Sequence, residues 1–229
     1  MLSIVIPTLN AEEGLAATLA ALVPAAISGL VRDVVVVDGG SGDATERIAE
    51  AVGAEFVPAR RGRGSQLRAG ARHAKSDWLL FLHADTVLEA GWEHEVRAFM
   101  DRVEAGARPP SAAAFRFALD DIGFQPRLLE SLVGLRCIAL RLAFGDQGLL
   151  VPRRLYEEIG GYRDMALMED VDFVRRLGRR RLVMLRSKAV TSAVRFHRSG
   201  YFLRSARNLA CLVLYYLRIP PRYLVRLYG

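Results

Sequence analysis

Three short stretches of this sequence hold the residue types that chemistry on an anionic ligand needs. His83-Ala84-Asp85 sets an imidazole and a carboxylate two positions apart, directly after the apolar run from Trp78 to Leu82. If the chain stays extended there, residues i and i+2 point the same way and both groups face one guest. A carboxylate at a strand mouth can hold a cation, or a phosphate-bearing substrate through one. The simpler alternative is that His83 packs on the sheet and Asp85 caps the following turn. Met168-Glu169-Asp170-Val171-Asp172 crowds carboxylates together. If a helix begins there, Glu169 and Asp170 lie in its first turn, where the helix dipole favours negative charge with or without a ligand. Arg60-Arg61-Gly62-Arg63-Gly64-Ser65-Gln66 places glycines among arginines at a helix start. Backbone N–H groups, the dipole and guanidinium groups there all favour a pyrophosphate, although the Gly-Lys-Ser/Thr ending of a P-loop is missing.

Such groups need a scaffold, and the apolar periodicity supplies one. Leu2 to Ile6 reads as a strand stopped by Pro7, and Leu15, Leu19 and Leu22 give Glu12 to Leu22 helical spacing. Asn10 with Glu13 three residues on forms a capping arrangement for that helix. Val34 to Val37 is a second buried strand, ending in Asp38-Gly39-Gly40-Ser41-Gly42-Asp43. The glycines there let backbone approach a bound group, and Asp43 can cap the helix through Ala51. Ala54 to Val57, a helix through about Ala74 and the strand 78–82 complete a β-α-β-α-β-loop-α-β order. This is a nucleotide-binding half whose ligand sits outside the carboxyl ends of the strands.

The second half reads as a helix over 90–103, a strand over 112–119 and a helix over 124–143. The stripe Leu128, Leu132, Leu135, Ile138 and Leu142 on that helix predicts a face packed into the core. Gly145-Asp146-Gln147-Gly148 breaks the helix before a short strand at 149–151. A short helix at 156–159, a solvated Arg179-Arg180-Arg181 turn and a strand at 182–185 follow. An apolar helix over 201–217 ends before Pro220-Pro221. The basic and aromatic tail beyond, with Arg222, Tyr223, Arg226 and Tyr228, can pack on the domain or lie at a membrane interface with its arginines on phosphates.

The 229 residues suffice for one α/β domain with a sizeable core, and no composition change marks a boundary. The net charge of +7, carried mainly by arginine, calls for an anionic partner. Nucleic acid is not expected, because the arginines are scattered among apolar helices without a recognition motif. Cys137 and Cys211 have no partner at metal-ligand spacing, which argues against a zinc site or a disulfide framework. No signal peptide or membrane span is expected, and a cytoplasmic location is the default.

Together the motifs ask for an anionic, metal-bound ligand at the switch point of a nucleotide-binding sheet, with an acid cluster nearby. A sugar nucleotide fits: a divalent ion on Asp85 and the arginines of 60–63 would neutralise its diphosphate. Asp170 could then take the proton of an acceptor hydroxyl. The chain at this point resembles the family 2 glycosyltransferases with the GT-A fold. The resemblance covers nearly all of residues 1–200. It rests on Ile4-Val-Ile-Pro-Thr-Leu-Asn-Ala-Glu-Glu13, on Val35-Val-Val-Asp-Gly-Gly-Ser-Gly-Asp43, on His83-Ala84-Asp85 in the place of the family's Asp-x-Asp, and on Met168-Glu-Asp170 in the place of its Glu-Asp motif. Gly145-Asp-Gln-Gly148 and Leu167-Met-Glu-Asp170 look most like a small bacterial subgroup of stand-alone transferases found with radical-SAM and selenium or arsenosugar gene clusters.

The resemblance implies a mixed, mainly parallel sheet flanked by helices in one domain. Its parts would be a nucleotide-binding half over 1–88, an acceptor half over 89–200 and a C-terminal helix and tail over 201–229. It implies that Pro7, Thr8, Asn10, Glu12, Asp38, Gly39, Arg63, Gln66 and Ala84 line the nucleotide site for a UDP- or GDP-linked sugar, and that Asp85, with His83 beside it, binds Mn²⁺ or Mg²⁺. Asp170 becomes the catalytic base of an inverting transfer, with Asp146, Gln147 and Glu169 on the side of an acceptor the sequence does not name. The chain departs from the family's usual pattern at Gly39 and His83, where aspartate is common, and His197 stands where some relatives place a late metal or phosphate ligand. The rival reading is a transferase-like domain without catalysis that docks on anionic membrane or a partner; peripheral membrane contact through 201–229 fits either.

Overall fold

The computed structural model describes residues 1–165, 167–219 and 224. Its frame is an eight-stranded mixed sheet in the order β3-β2-β1-β4-β7-β6-β8-β5. The chain enters through β1 (Leu2–Thr8), α1 (Glu12–Ala20), α2 (Val23–Ile27), β2 (Val31–Asp38), α3 (Thr45–Ala51), β3 (Glu55–Pro58), α4 (Arg63–His73) and β4 (Trp78–Phe81). The strands β1, β2, β3 and β4 are parallel, with Thr8 level with Asp38 and Val5 level with Phe81. Side chains of β1 and β4 are buried on both faces, as their continuous apolar runs require of a central parallel strand. Val5, Val37 and Leu79 join one core layer and Ile4, Val36 and Leu80 the other, following the period of two.

β5 (Thr86–Leu88), α5 (Trp92–Glu104), β6 (Ala112–Leu119), α6 (Phe124–Leu140), β7 (Leu149–Pro152), α7 (Arg153–Glu158), α8 (Glu169–Leu177), β8 (Leu182–Thr191), α9 (Val194–Ser199) and α10 (Tyr201–Tyr216) follow. Antiparallel β7 joins this half to the first through β4, pairing Phe81 with Leu149 and Trp78 with Pro152. β6 and β8 run parallel, while β5 lies antiparallel at the far edge on β8.

Several expectations change. Asn10 does not cap α1; Ala11 holds that position, and Asn10, in a left-handed turn at φ 49°, accepts a hydrogen bond from Gly42 N–H instead. Residues 83–85 are not extended: Thr86 N–H reaches back to the His83 carbonyl at 3.3 Å, so a turn, not strand alternation, relates His83 to Asp85. The stripe on α6 faces outward, with Leu128, Leu132, Leu135 and Ile138 exposed and only Leu142, beyond the helix, buried. α6 meets the core through Cys137 instead, with Leu129 and Val133 partly buried on the same side. No described helix is long and apolar enough to cross a membrane. Of the tail, Leu224 is buried in the core layer that holds Cys211 and Leu212, whereas Arg222, Tyr223, Arg226 and Tyr228 lie outside the described residues.

Candidate functional site

Two loops that leave the carboxyl ends of β1 and β2 are sewn together. Asn10 N–H donates to Ser41 Oγ at 2.8 Å, Ala11 N–H to Thr45 Oγ1 at 2.9 Å and Glu12 N–H to Asp43 Oδ2 at 3.1 Å. In return Ala44 N–H donates to Glu12 Oε2 at 2.9 Å. Asp38 anchors this seam: its carboxylate accepts from Thr8 Oγ1, Ser41 Oγ and the N–H groups of Gly40 and Ser41 at 2.5–2.9 Å. Burial pushes the Asp38 carboxyl up, but these donors outweigh it and hold it below the usual carboxylate range. Gln66 lies under the seam, with Nε2 donating to the carbonyls of Thr8 and Val37 at 2.7 and 2.8 Å. A side chain at Gly39 would come within 3.2–3.4 Å of that amide, which accounts for glycine there. The residues expected to line a nucleotide site on this side, Pro7, Thr8, Asn10, Glu12, Asp38, Gly39 and Gln66, therefore gather on these strand ends and loops, with several polar groups already committed to shaping them.

The start of α4 meets the expectation of a phosphate cradle only in part. A Cβ at Gly64 would sit 2.1 Å from the Arg163 carbonyl, and Gly64 N–H points at the Met165 carbonyl at 3.4 Å. The glycine lets this helix end press on the 163–165 loop. Arg60 pairs with Asp164 at 3.5 Å on the surface, while Arg63 turns into a cleft.

That cleft brings the second and third motifs together. Arg63, His83, Asp85, Asp146, Glu169 and Asp170 all line it. The turn holding Asp85 is clamped from two elements: α1 lies against it at Gly14 and donates from Thr18 Oγ1 to the Ala84 carbonyl at 2.9 Å, and Ser192 N–H donates to the Asp85 carbonyl at 3.1 Å. A Cβ on Gly14 would stand 2.9 Å from the Ala84 oxygen and 3.0 Å from Asp85 Cα. On the opposite wall Met168, left-handed at φ 65°, turns the chain into α8 so that Glu169 and Asp170 open the helix. Gly145 N–H donates to Asp170 Oδ2 at 2.6 Å and Val171 N–H to Oδ1 at 2.7 Å. A Cβ at Gly145 would lie 2.6 Å from His83 Nε2 and 3.4 Å from Asp170 Oδ2, so the imidazole and the carboxylate close on this glycine together. Phe81, Tyr162 and Phe173 form a buried aromatic run in the core, with centroids 4.9 Å apart in each successive pair.

Two further acids are enclosed. Asp146 Oδ1 and Glu169 Oε2 are buried without a hydrogen-bond partner. Burial, opposed by Arg136 and reinforced by Asp170 and Asp85, raises the Asp146 carboxyl to about 6. Burial and then the Asp170 charge, opposed by Arg63, raise Glu169 to about 7. Gln147 does not reach the cleft: Arg136 Nη2, Cys137 Sγ and Phe144 N–H donate to its Oε1, and its Nε2 donates to the Phe115 carbonyl at 2.9 Å. Asp172 is taken up by Arg163 and Arg176 at 3.2 and 2.8 Å. His197 belongs elsewhere, 3.2 Å from Asp121 in a groove beside Phe124 and Tyr201.

The sequence reading missed the last wall, formed by Thr191 and Ser192 at the end of β8, by Phe196 and by Arg204 and Asn208 of α10. Asn208 Oδ1 is buried there without a partner. Arg204, Arg207 and Asn208, polar residues in a largely apolar helix, were the available signal.

The donor set suits a hard divalent ion. Carboxylates and one imidazole line the cleft, and two buried carboxylate oxygens lack partners. Among the described residues no three such side chains converge on one point. Mg²⁺ and ions like it are commonly held by one or two carboxylates together with substrate phosphates.

The fold has known counterparts. Glucosyl-3-phosphoglycerate synthase from Mycobacterium tuberculosis, solved with Mn²⁺, UDP and glucosyl-3-phosphoglycerate, is 22% identical at a TM-score of 0.56. The match covers 83% of this chain and 70% of that one. The same enzyme with Mn²⁺ and UDP-glucose gives 21% identity, a TM-score of 0.56 and the same coverage. Residues 1–349 of S. aureus TarS are 16% identical at a TM-score of 0.65, covering 99% of this chain and 69% of that one. No curated protein sequence matches the chain. Residues 3–116 match the model of the family described as Glycosyl transferase family 2. That match spans just under half of the chain, and the architecture is the GT-A fold of these neighbours.

Proposed function

We propose that this protein is an inverting, metal-assisted glycosyltransferase that moves a sugar from a UDP- or GDP-linked donor to an acceptor hydroxyl or phosphate. The observation that carries the reading is that Asp85 and Asp170, from opposite halves of the sheet, line one cleft with Arg63. Residues 1–88 form the donor side, and 89–200 with the C-terminal segment 201–229 form the acceptor side of a single domain. The phrases around Gly145 and Asp170 support membership of the radical-SAM-associated bacterial subgroup.

Asp85, with His83 at its side, would hold Mn²⁺ or Mg²⁺, which when bound supplies a Lewis acid for the diphosphate. Arg63, which lines the same cleft, would take up charge on the diphosphate as its bond to the anomeric carbon breaks and the electron pair leaves with the diphosphate. Asp170 is oriented by two N–H donors, and each of its oxygens keeps a second lone pair. One of those accepts the acceptor's proton as the acceptor oxygen bonds to the anomeric carbon from the opposite side. Asp146 and Glu169, which burial keeps protonated more readily than ordinary acids, are placed to donate hydrogen bonds to acceptor hydroxyls. The enzyme would work in the cytoplasm, with the 201–229 segment in peripheral contact with the inner face of the membrane.

Thermal melting with UDP- and GDP-sugars, with and without Mn²⁺ or Mg²⁺, tests this. A shift should appear only with the ion present and vanish in Asp85→Ala. Full metal-dependent shifts in that variant, or no shift with any sugar nucleotide, would refute the proposal.

A further inference from the structure

One helix that lines the cleft and one that leads into its wall are apolar on the side they turn to solvent. α6 exposes Leu128, Leu132, Leu135 and Ile138, the last at 71%, and leads through 141–143 into Phe144 and Gly145 of the cleft wall. α10 sends Arg204 and Asn208 into the cleft and buries Cys211. At about 100° per residue, Phe202, Leu209, Val213 and Tyr216 fall on the opposite face, and all four are exposed. Soluble monomers rarely leave large contiguous apolar patches uncovered.

The charge of this region indicates what covers them. Residues 173–229 hold fourteen Lys and Arg and no Asp or Glu, against eighteen Lys and Arg and twenty-five Asp and Glu in residues 1–172. All of the excess positive charge thus lies in the segment that contains α10, and Arg141 is exposed just past α6. Apolar helix faces with arginines around them suit an anionic bilayer, where the side chains enter the acyl boundary and the cations meet phosphates. A second copy of this chain is the poorer occupant, because a two-fold contact through α10 would set two such basic segments against each other.

We infer that the exposed faces of α6 and α10 dock on an anionic lipid bilayer. This extends the contact beyond the C-terminal segment, and it stands independently of the transferase reading.

Flotation of the full chain with vesicles tests the surface. The chain should float with phosphatidylglycerol–phosphatidylcholine vesicles, far less with phosphatidylcholine alone, and less at high salt. The pairs Leu132→Asp with Leu135→Asp, and Phe202→Asp with Leu209→Asp, should each lower the partition coefficient about tenfold or more. Cys137 and Cys211 are buried, so an introduced cysteine can be labelled with an environment-sensitive dye. A dye on Phe202→Cys should shift to the blue with anionic vesicles. A dye on Ile27→Cys, 82% exposed on α2 before the amino end of β2, should not. Absence of flotation, flotation indifferent to both pairs, or equal dye shifts at the two positions would overturn the inference. So would a dimer that ignores vesicles and is dissolved by the α6 pair. The melting shift with UDP and Mn²⁺, measured on the same samples, keeps the two readings apart: docking without that shift removes the transferase reading and leaves the surface standing.

Discussion

Gly14→Ala makes a sharp test of how Asp85 is held. On helix propensity alone the change should help, since alanine in a helix interior is favoured over glycine by about 0.5–1 kcal/mol. The structure sets a larger opposing effect. The added methyl would meet the Ala84 carbonyl at 2.9 Å and Asp85 Cα at 3.0 Å, both backbone atoms that Thr18 and Ser192 fix in place. Overpacking of this kind typically costs about 1–3 kcal/mol. The net expectation is a loss of roughly 0–2 kcal/mol, a few degrees at most in melting temperature for a chain of this length.

The effect on ligand should be disproportionate. A donor nucleotide at about 100 times its Kd stabilises by about 2.7 kcal/mol, or roughly 5–11 °C here. That increment depends on Asp85 keeping its position, so Gly14→Ala should lose most of the Mn²⁺-dependent shift while the unliganded protein melts nearly as before. Differential scanning fluorimetry with UDP, with Mn²⁺ and with both reads the two quantities on one plate. A stabilised variant with its full metal-dependent shift would refute the claim that α1 positions Asp85.

Other expectations follow from the same geometry. Asp170→Asn should lower kcat by about 10²- to 10⁴-fold, the usual worth of a general base, with metal-dependent nucleotide binding retained in the melting assay. In EDTA, stability should fall as pH rises from near 4.5 to about 7, because folded Glu169 keeps a proton that the unfolded chain has released. The loss, up to about 3 kcal/mol, should be complete above that range, with Asp146 adding in the same direction; Glu169→Gln should flatten the profile measured by urea denaturation. Gln66→Leu withdraws the side-chain donor from the Thr8 and Val37 carbonyls and should cost about 1–2 kcal/mol, seen as a lower denaturation midpoint at an unchanged slope.

The half of the fold built from β1 to β4 was legible because its strands are continuous apolar runs ending in polar loops, a pattern only a doubly covered sheet satisfies. β5 escaped because three residues between a turn and a loop carry no period. β8 runs to Thr191 although its apolar signal stops near Leu185, the rest being held by pairing with β6 and β5. α6 shows a different limit. Periodicity found its stripe correctly but could not say whether the stripe meets core or solvent, and tertiary packing chose Cys137 for the core. The meeting of Asp85 with Asp170 in one cleft was expected from their chemistry, whereas Asn208 and Gly145 were not singled out as site residues. Nothing local in sequence says that α10 folds back over the site, or that a glycine amide will orient the acid 25 positions later.

Two antiparallel ladders join residues 1–88 to the rest of the sheet, β4 with β7 over four residues on each strand and β5 with β8 over three. On the proposed function, Arg63 and Asp85, assigned to the leaving diphosphate, precede residue 89, and Asp170, assigned to the incoming hydroxyl, follows it. A chimera exchanged at 89, with the Phe81–Leu149, Trp78–Pro152 and Thr86–Thr191 matches preserved, should therefore keep its choice of nucleotide while adopting another protein's choice of acceptor. The junctions to protect in such work are these two short strips of backbone, one at the middle of the sheet and one at its edge.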